Sequence, residues 1–121
     1  MSTFSGFIQR NYWACMPLSL GEAAELLGEA FGLVEPEFGS EDSEEWLEGF
    51  ANNGVTFYVC RNGGPAAPLR FIINPYQKNP KEFGHRLASC FKRTISYGDV
   101  AYLGDDKYRY TELARYEHDV F

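Results

Sequence analysis

An α+β fold is what this sequence predicts: an antiparallel sheet of four to five strands with three helices packed on it, in the order β-α-α-β-β-α-β-β, a two-layer sandwich. Three observations point there. Apolar residues recur at helical spacing behind recognisable caps. Short runs rich in β-branched and aromatic residues come in pairs separated by Gly-rich turns. The length of 121 residues, 45% of them hydrophobic and 17% aromatic, suits one domain over residues 1–121 with a core of its own.

The elements follow in order. Residues 4–15, FSGFIQRNYWAC, are apolar and aromatic enough for a first strand, which Pro17 ends. Ser19 with Glu22 makes a capping box, and Leu20, Ala23, Ala24, Leu27 and Phe31 give the first helix one apolar face before Gly32 stops it. A second, shorter helix is expected from Ser40 or Ser43 to Asn52-Asn53-Gly54, with Trp46, Leu47 and Phe50 on its apolar side. VTFYVCR (55–61) and LRFIIN (69–74) read as a strand pair joined by NGGPAAP. Asn79-Pro80 opens a third helix, whose buried face is Phe83, Leu87, Cys90, Phe91 and Ile95 and whose outer side carries Lys81, His85 and Lys92, with Gly98 closing the unit. VAYL (100–103) and KYRYT (107–111) flank Gly104-Asp105-Asp106 as a second hairpin, and the tail ELARYEHDVF reads as a short helix or another strand, with the helix preferred.

Three widely spaced cysteines, Cys15, Cys60 and Cys90, with no CxxC, argue for reduced thiols in a cytosolic protein rather than a disulfide framework. The start MSTFSGFIQR lacks the pattern of a signal peptide, and no apolar run has the length of a membrane span. A cytoplasmic setting is therefore expected, with no membrane partner.

Little in the chain promises catalysis. His85 and Cys90 are five residues apart on the expected third helix, so they point to different sides and form no local dyad. Two histidines and three scattered cysteines show no metal-ligand spacing, and Asn62-Gly63-Gly64 lacks the spacing and the Lys of a phosphate loop. No catalytic residue, metal or cofactor is assigned.

Charge is the strongest signal. The net charge is −6, but from Asn11 to Cys60 there is no Lys or Arg against ten acids, while the rest of the chain holds eleven bases and seven acids. Such a balance repels nucleic acid and attracts basic proteins. The stretch SEDSEEWLE concentrates Glu41, Asp42, Glu44, Glu45 and Glu48 around Trp46, and Glu22, Glu25 and Glu29 add a stripe along the first helix. Acids in a helix's first turn favour its dipole, but on a second helix Glu41/Glu45 and Glu44/Glu48 would be like-charge pairs costing about 0.2–0.5 kcal/mol each. Docking a basic partner accounts for the excess, with aromatic anchors such as Tyr108 and Tyr110 in Lys107-Tyr108-Arg109-Tyr110.

The closing stretch GDVAYLGDDKYRYT, a strand, an Asp-rich turn and a Tyr-bearing strand, is similar to the ending of some immunity proteins of bacterial toxin systems, including contact-dependent growth inhibition. The resemblance implies a non-catalytic inhibitor that covers a toxin, often a basic nuclease, with acidic and aromatic side chains; it carries no residue role across. A small-ligand or enzymatic domain with a pocket beside the third helix, His85 and Arg86 at its rim, is the alternative. A mimic of DNA shares the first reading's electrostatics.

Overall fold

The computed structural model describes residues 8–42, 44–51, 54–64, 66–74, 79–105 and 107–118. They form β1 (Ile8–Ala14), α1 (Leu20–Phe31), β2 (Val34–Glu41), β3 (Glu44–Phe50), β4 (Thr56–Asn62), β5 (Leu69–Asn74), α2 (Pro80–Phe91), β6 (Ile95–Gly104) and β7 (Lys107–Tyr116). The strands make one seven-stranded sheet in the order β2-β3-β4-β5-β1-β6-β7, antiparallel at every pairing.

Seven strands and two helices replace the expected four to five strands and three helices. The main correction is at residues 40–50, where a hairpin of β2 and β3 stands in place of the second helix. Leu47 and Ala51 are buried two positions apart from Glu45 and Gly49 on the inward side, while Phe50 turns outward at 59% exposure. Glu and Gly at inward positions hide the period of two, and Trp46, Leu47 and Phe50 imitate a helical stripe. Glu41/Glu45 and Glu44/Glu48 are therefore not helical neighbours. Asp42 takes a positive φ of 51° in the turn, a conformation that Asp tolerates.

A second correction concerns the C-terminal part. Residues 112–116 continue β7 rather than forming a helix, and β6 runs from Ile95 through Gly98 to Gly104. Tyr116 packs on α2 as part of the core, which holds the strand in register to its end. Residues 4–7 of the expected first strand, Ser43, Asn52, Asn53, Asp106 and residues 119–121 lie outside the described residues.

Both helices cover one face of the sheet. α1 starts at Ser19, whose hydroxyl accepts from the Glu22 amide while the Glu22 carboxylate accepts from the Ser19 amide, and it ends at Gly32 with φ 71°. Its last turn has no base of its own, but Arg86 of α2 donates to the Ala30 carbonyl at 3.4 Å and lies over the Phe31 ring. Leu27, Leu47, Phe57, Val59, Leu69, Phe71, Leu87 and Ile95 are wholly buried between the layers, each contributing roughly 1.5–3 kcal/mol. Phe31, Phe57 and Phe83 meet with ring centroids 5.1–5.8 Å apart and tie α1, β4 and α2 together.

Arg61 of β4 points into the same side and is 4% exposed. Its guanidinium donates to the carbonyls of Ala67, Leu18 and Met16 at 3.1, 2.9 and 2.7 Å, pinning both the segment that enters α1 and the β4–β5 turn. A buried charge with each nitrogen bonded this way is a structural clamp.

Candidate functional site

The face without helices is where the sheet's unusual chemistry gathers. Strand register places on it Glu37, Gly39 and Glu41 of β2; Glu44, Trp46, Glu48 and Phe50 of β3; Tyr58, Cys60 and Asn62 of β4; Arg70 of β5; Gln9, Asn11 and Trp13 of β1; Ser96 and Val100 of β6; and Tyr108, Tyr110 and Glu112 of β7. Although no helix covers it, Cys60 is 0% and Arg70 8% exposed. Arg70 and Tyr108 are separated by β1 and β6, yet the guanidinium carbon lies 4.6 Å from the ring centroid. With strands about 4.8 Å apart, and with Tyr108 further along the strands than Arg70, their backbones on a flat sheet would be well over ~14 Å apart, so the sheet curls toward this face.

One end of the face is acidic. Glu37 stands opposite Glu48, and Glu41 opposite Glu44, as cross-strand neighbours. Glu44 accepts a hydrogen bond from Asn62 at 2.7 Å. Glu45 falls on the helix side, 3.9 Å from Arg61, which also donates to three carbonyls. Among the described residues Glu37, Glu41, Asp42 and Glu48 have no basic partner. Like charges set directly opposite destabilise a pair of strands, so the hairpin carries an uncompensated electrostatic cost.

Exposed apolar side chains accompany the acids: Val34, Phe38 at 54% and Phe50. Glu35, Pro36, Glu37, Glu48 and Phe50 line a cavity of about 560 Å³, a carboxylate-walled hollow with an aromatic edge. A bulge between Val34 and Glu37, where Glu35 has φ 48°, opens the edge strand at that point. Pro36 is tolerated because β2 has no neighbour on its outer side.

The expected site residues thus divide. Glu41, Glu44 and Glu48 share one face with Tyr108 and Tyr110; Asp42 is in the hairpin turn; Glu45 faces away. Glu22 is spent on the α1 cap, and Glu25 and Glu29 are exposed on α1, across the sheet from the open face. Tyr108 and Tyr110 are half-buried: Tyr108 packs on Tyr102 and Arg70, Tyr110 on Trp13. Burial raises both phenols above their ordinary range. The sequence does not single out Glu37, Phe38 or Arg70, and it assigns Phe50 to the apolar side of a helix rather than to a site. For Arg70 a signal exists, a lone cation inside the apolar strand LRFIIN.

A second concavity lies beside α2. Ala30, Phe31, Glu82, His85, Arg86, Ser89 and Cys90 line an open cleft of about 550 Å³ between the two helices. His85 and Cys90 both border it, but each is committed elsewhere. The Cys90 thiol donates to the Leu26 carbonyl at 3.4 Å and burial pushes it up to about 11, while His85 Nδ1 lies 3.4 Å from the Glu117 carbonyl and its ring packs on Tyr116. A thiol so raised is a poor nucleophile at neutral pH.

Among the described residues no three His, Cys, Asp or Glu side chains are grouped to hold a metal ion, and no helix is long and apolar enough to cross a membrane. Comparison with protein-family models, with curated proteins and with solved structures finds no match to this chain.

Proposed function

We propose that the protein is a non-catalytic binding protein that captures a basic protein through the β2–β3 hairpin, and that it serves as a cytoplasmic immunity protein for a toxin domain, a nuclease being the natural candidate. The observation that carries this reading is the two pairs of opposed carboxylates, Glu37/Glu48 and Glu41/Glu44, left without a basic partner among the described residues. A cationic side chain entering the hollow between Glu37, Glu48 and Phe50 would relieve the repulsion and gain an aromatic contact. Phe50, with Val34 opposite it, supplies apolar area beside the charge, the combination that anchors protein interfaces.

The test compares the wild type with a triple variant, Glu37→Gln, Glu41→Gln and Glu48→Gln, as bait in native lysate at low and high salt. A basic protein retained by the wild type, released by salt and lost by the variant supports the reading. Equal retention of the same proteins by both baits overturns it.

The cleft between α1 and α2 favours a second reading, a small-ligand domain with Phe31 as floor and His85 and Arg86 at the rim. Ligand-induced shifts confined to His85, Arg86 and Ser89 in an NMR screen would favour it over the hairpin.

A further inference from the structure

Two arginines are buried in this fold, and they differ in one respect. Arg61 gives every nitrogen to a carbonyl; Arg70, on the neighbouring strand and the opposite face, has no such set of acceptors. Its Nη2 reaches the Cys60 sulfur at 3.3 Å, a weak acceptor, and its guanidinium carbon lies over the Tyr108 ring. Its Nε has no hydrogen-bond partner. No carboxylate among the described residues pairs with it. Burying an unpaired guanidinium is destabilising, and a hydrophobic residue of similar size would normally be the more stable choice.

Arg70 is also at the wall of a cavity. Gln9, Val100, Tyr102 and Tyr108 complete a hollow of about 220 Å³ on the open face, with Arg70 as its one charged residue. Its polar groups are the guanidinium, the Gln9 amide and the Tyr hydroxyls, and its sides are the Tyr102 and Tyr108 rings, 5.2 Å apart between centroids. A single planar fork beside a pair of packed aromatic rings matches a carboxylate.

We propose that this hollow binds a small, flat organic acid as its monoanion, the carboxylate held by Arg70 and the body of the molecule lying against Tyr102 and Tyr108. A phosphate dianion suits the site less. One cation would leave a charge uncompensated, and Glu44 lies close enough to be felt at Tyr108, whose phenol is raised first by burial and then by that carboxylate. The hollow is lined by residues of β1, β5, β6 and β7 and by none of the β2–β3 hairpin, so its occupancy is read separately from partner capture there.

Benzoate is the probe, titrated into the intact ¹⁵N-labelled protein while the Arg70 Nε–H signal and the Tyr102 and Tyr108 ring signals are followed. A saturable shift of all three is expected, with inorganic phosphate and benzyl alcohol each at least tenfold weaker. Arg70→Lys keeps the charge but removes the fork, and should weaken benzoate at least tenfold. Should that variant fail to fold, Tyr102→Ala at the exposed rim tests the same site, with a several-fold loss expected. If benzoate leaves these signals unmoved up to its solubility limit, the site is refuted. If phosphate binds as tightly as benzoate, the assignment to carboxylates is refuted.

Discussion

Glu37 and Glu48 face each other across the first two strands of the sheet order, and no lysine or arginine among the described residues stands within ion-pair distance of either. Directly opposed like charges cost about 0.2–1 kcal/mol relative to neutral pairs. Glu48→Gln is therefore expected to stabilise the isolated protein by a few tenths of a kcal/mol up to ~1 kcal/mol at low salt, less as salt rises. Urea denaturation in two ionic strengths checks this; a destabilised variant would show that Glu48 has a favourable partner.

Arg61→Met should have the opposite and larger effect. It leaves the Ala67, Leu18 and Met16 carbonyls short of a donor, one of those bonds being wholly buried. A loss of roughly 3 kcal/mol is expected, from buried acceptors left unmatched. Chemical denaturation gives the value, and a loss below about 1 kcal/mol would mean that the clamp is not the role of this residue.

Gly98→Ala tests how tightly β6 meets β7. A Cβ there would come closer than 3.0 Å to the Thr111 carbonyl and the Leu113 amide, both backbone. This is where β7 bulges, between its pairings to Tyr97 and Gly98. Overpacking of about 1–3 kcal/mol is expected, with exchange protection lost first along β7. Unchanged stability would show that the bulge absorbs a methyl group.

The three thiols should react in the order of their surroundings. Cys15 is exposed, Cys90 is partly covered and pushed up to about 11 by burial, and Cys60 is raised by burial with none of its surface accessible. Alkylation at neutral pH followed by mass spectrometry should label Cys15 alone at early times. Early modification of Cys90 would point to an activated thiol in the cleft beside α2.

Glu112 is held below its ordinary range first by the Ser96 hydroxyl, at 2.6 Å, and then by Arg115. A depressed carboxyl stabilises the fold above the unfolded value and loses that contribution as the pH falls through the folded value. Ser96→Ala should move the Glu112 titration, followed by ¹³C NMR, upward toward the ordinary glutamate range and flatten the acid limb of stability. A titration that stays in place would assign the depression to Arg115 alone.

Local chemistry explains which elements the sequence disclosed. Ser19 and Glu22, Gly32, and Asn79-Pro80 are decided within one turn of chain, and α1 and α2 lie where those residues put them. LRFIIN is β5 to the residue, because a short β-branched run between turns has few other options. The β2–β3 hairpin was illegible for the opposite reason. Its inward positions include Glu45 and Gly49, its outward ones Trp46 and Phe50, and Pro36 and Gly39 interrupt β2; only pairing with β4 imposes the alternation. The acidic excess of residues 41–48 was plain from composition, but its division between two faces, and the addition of Glu37, depended on that register. Arg70 became informative only once the sheet's curl brought Tyr108 over it, a relation between strands far apart in sequence.

The position of β1 has a consequence for how the chain reaches this state. Ile8–Ala14 lies in the interior of the sheet, and its two neighbours are β5 and β6, so Trp13 must wait for Arg70 on one side and Ser96 on the other. During synthesis this strand would leave the ribosome with both ladder edges open, while β2 to β4 can already zip into a local meander. Closing such long loops is slow relative to local pairing, so the last event in folding should be the docking of β6 and β7 against a waiting N-terminal strand. In that interval the nascent chain would be most prone to pair with a second copy of itself.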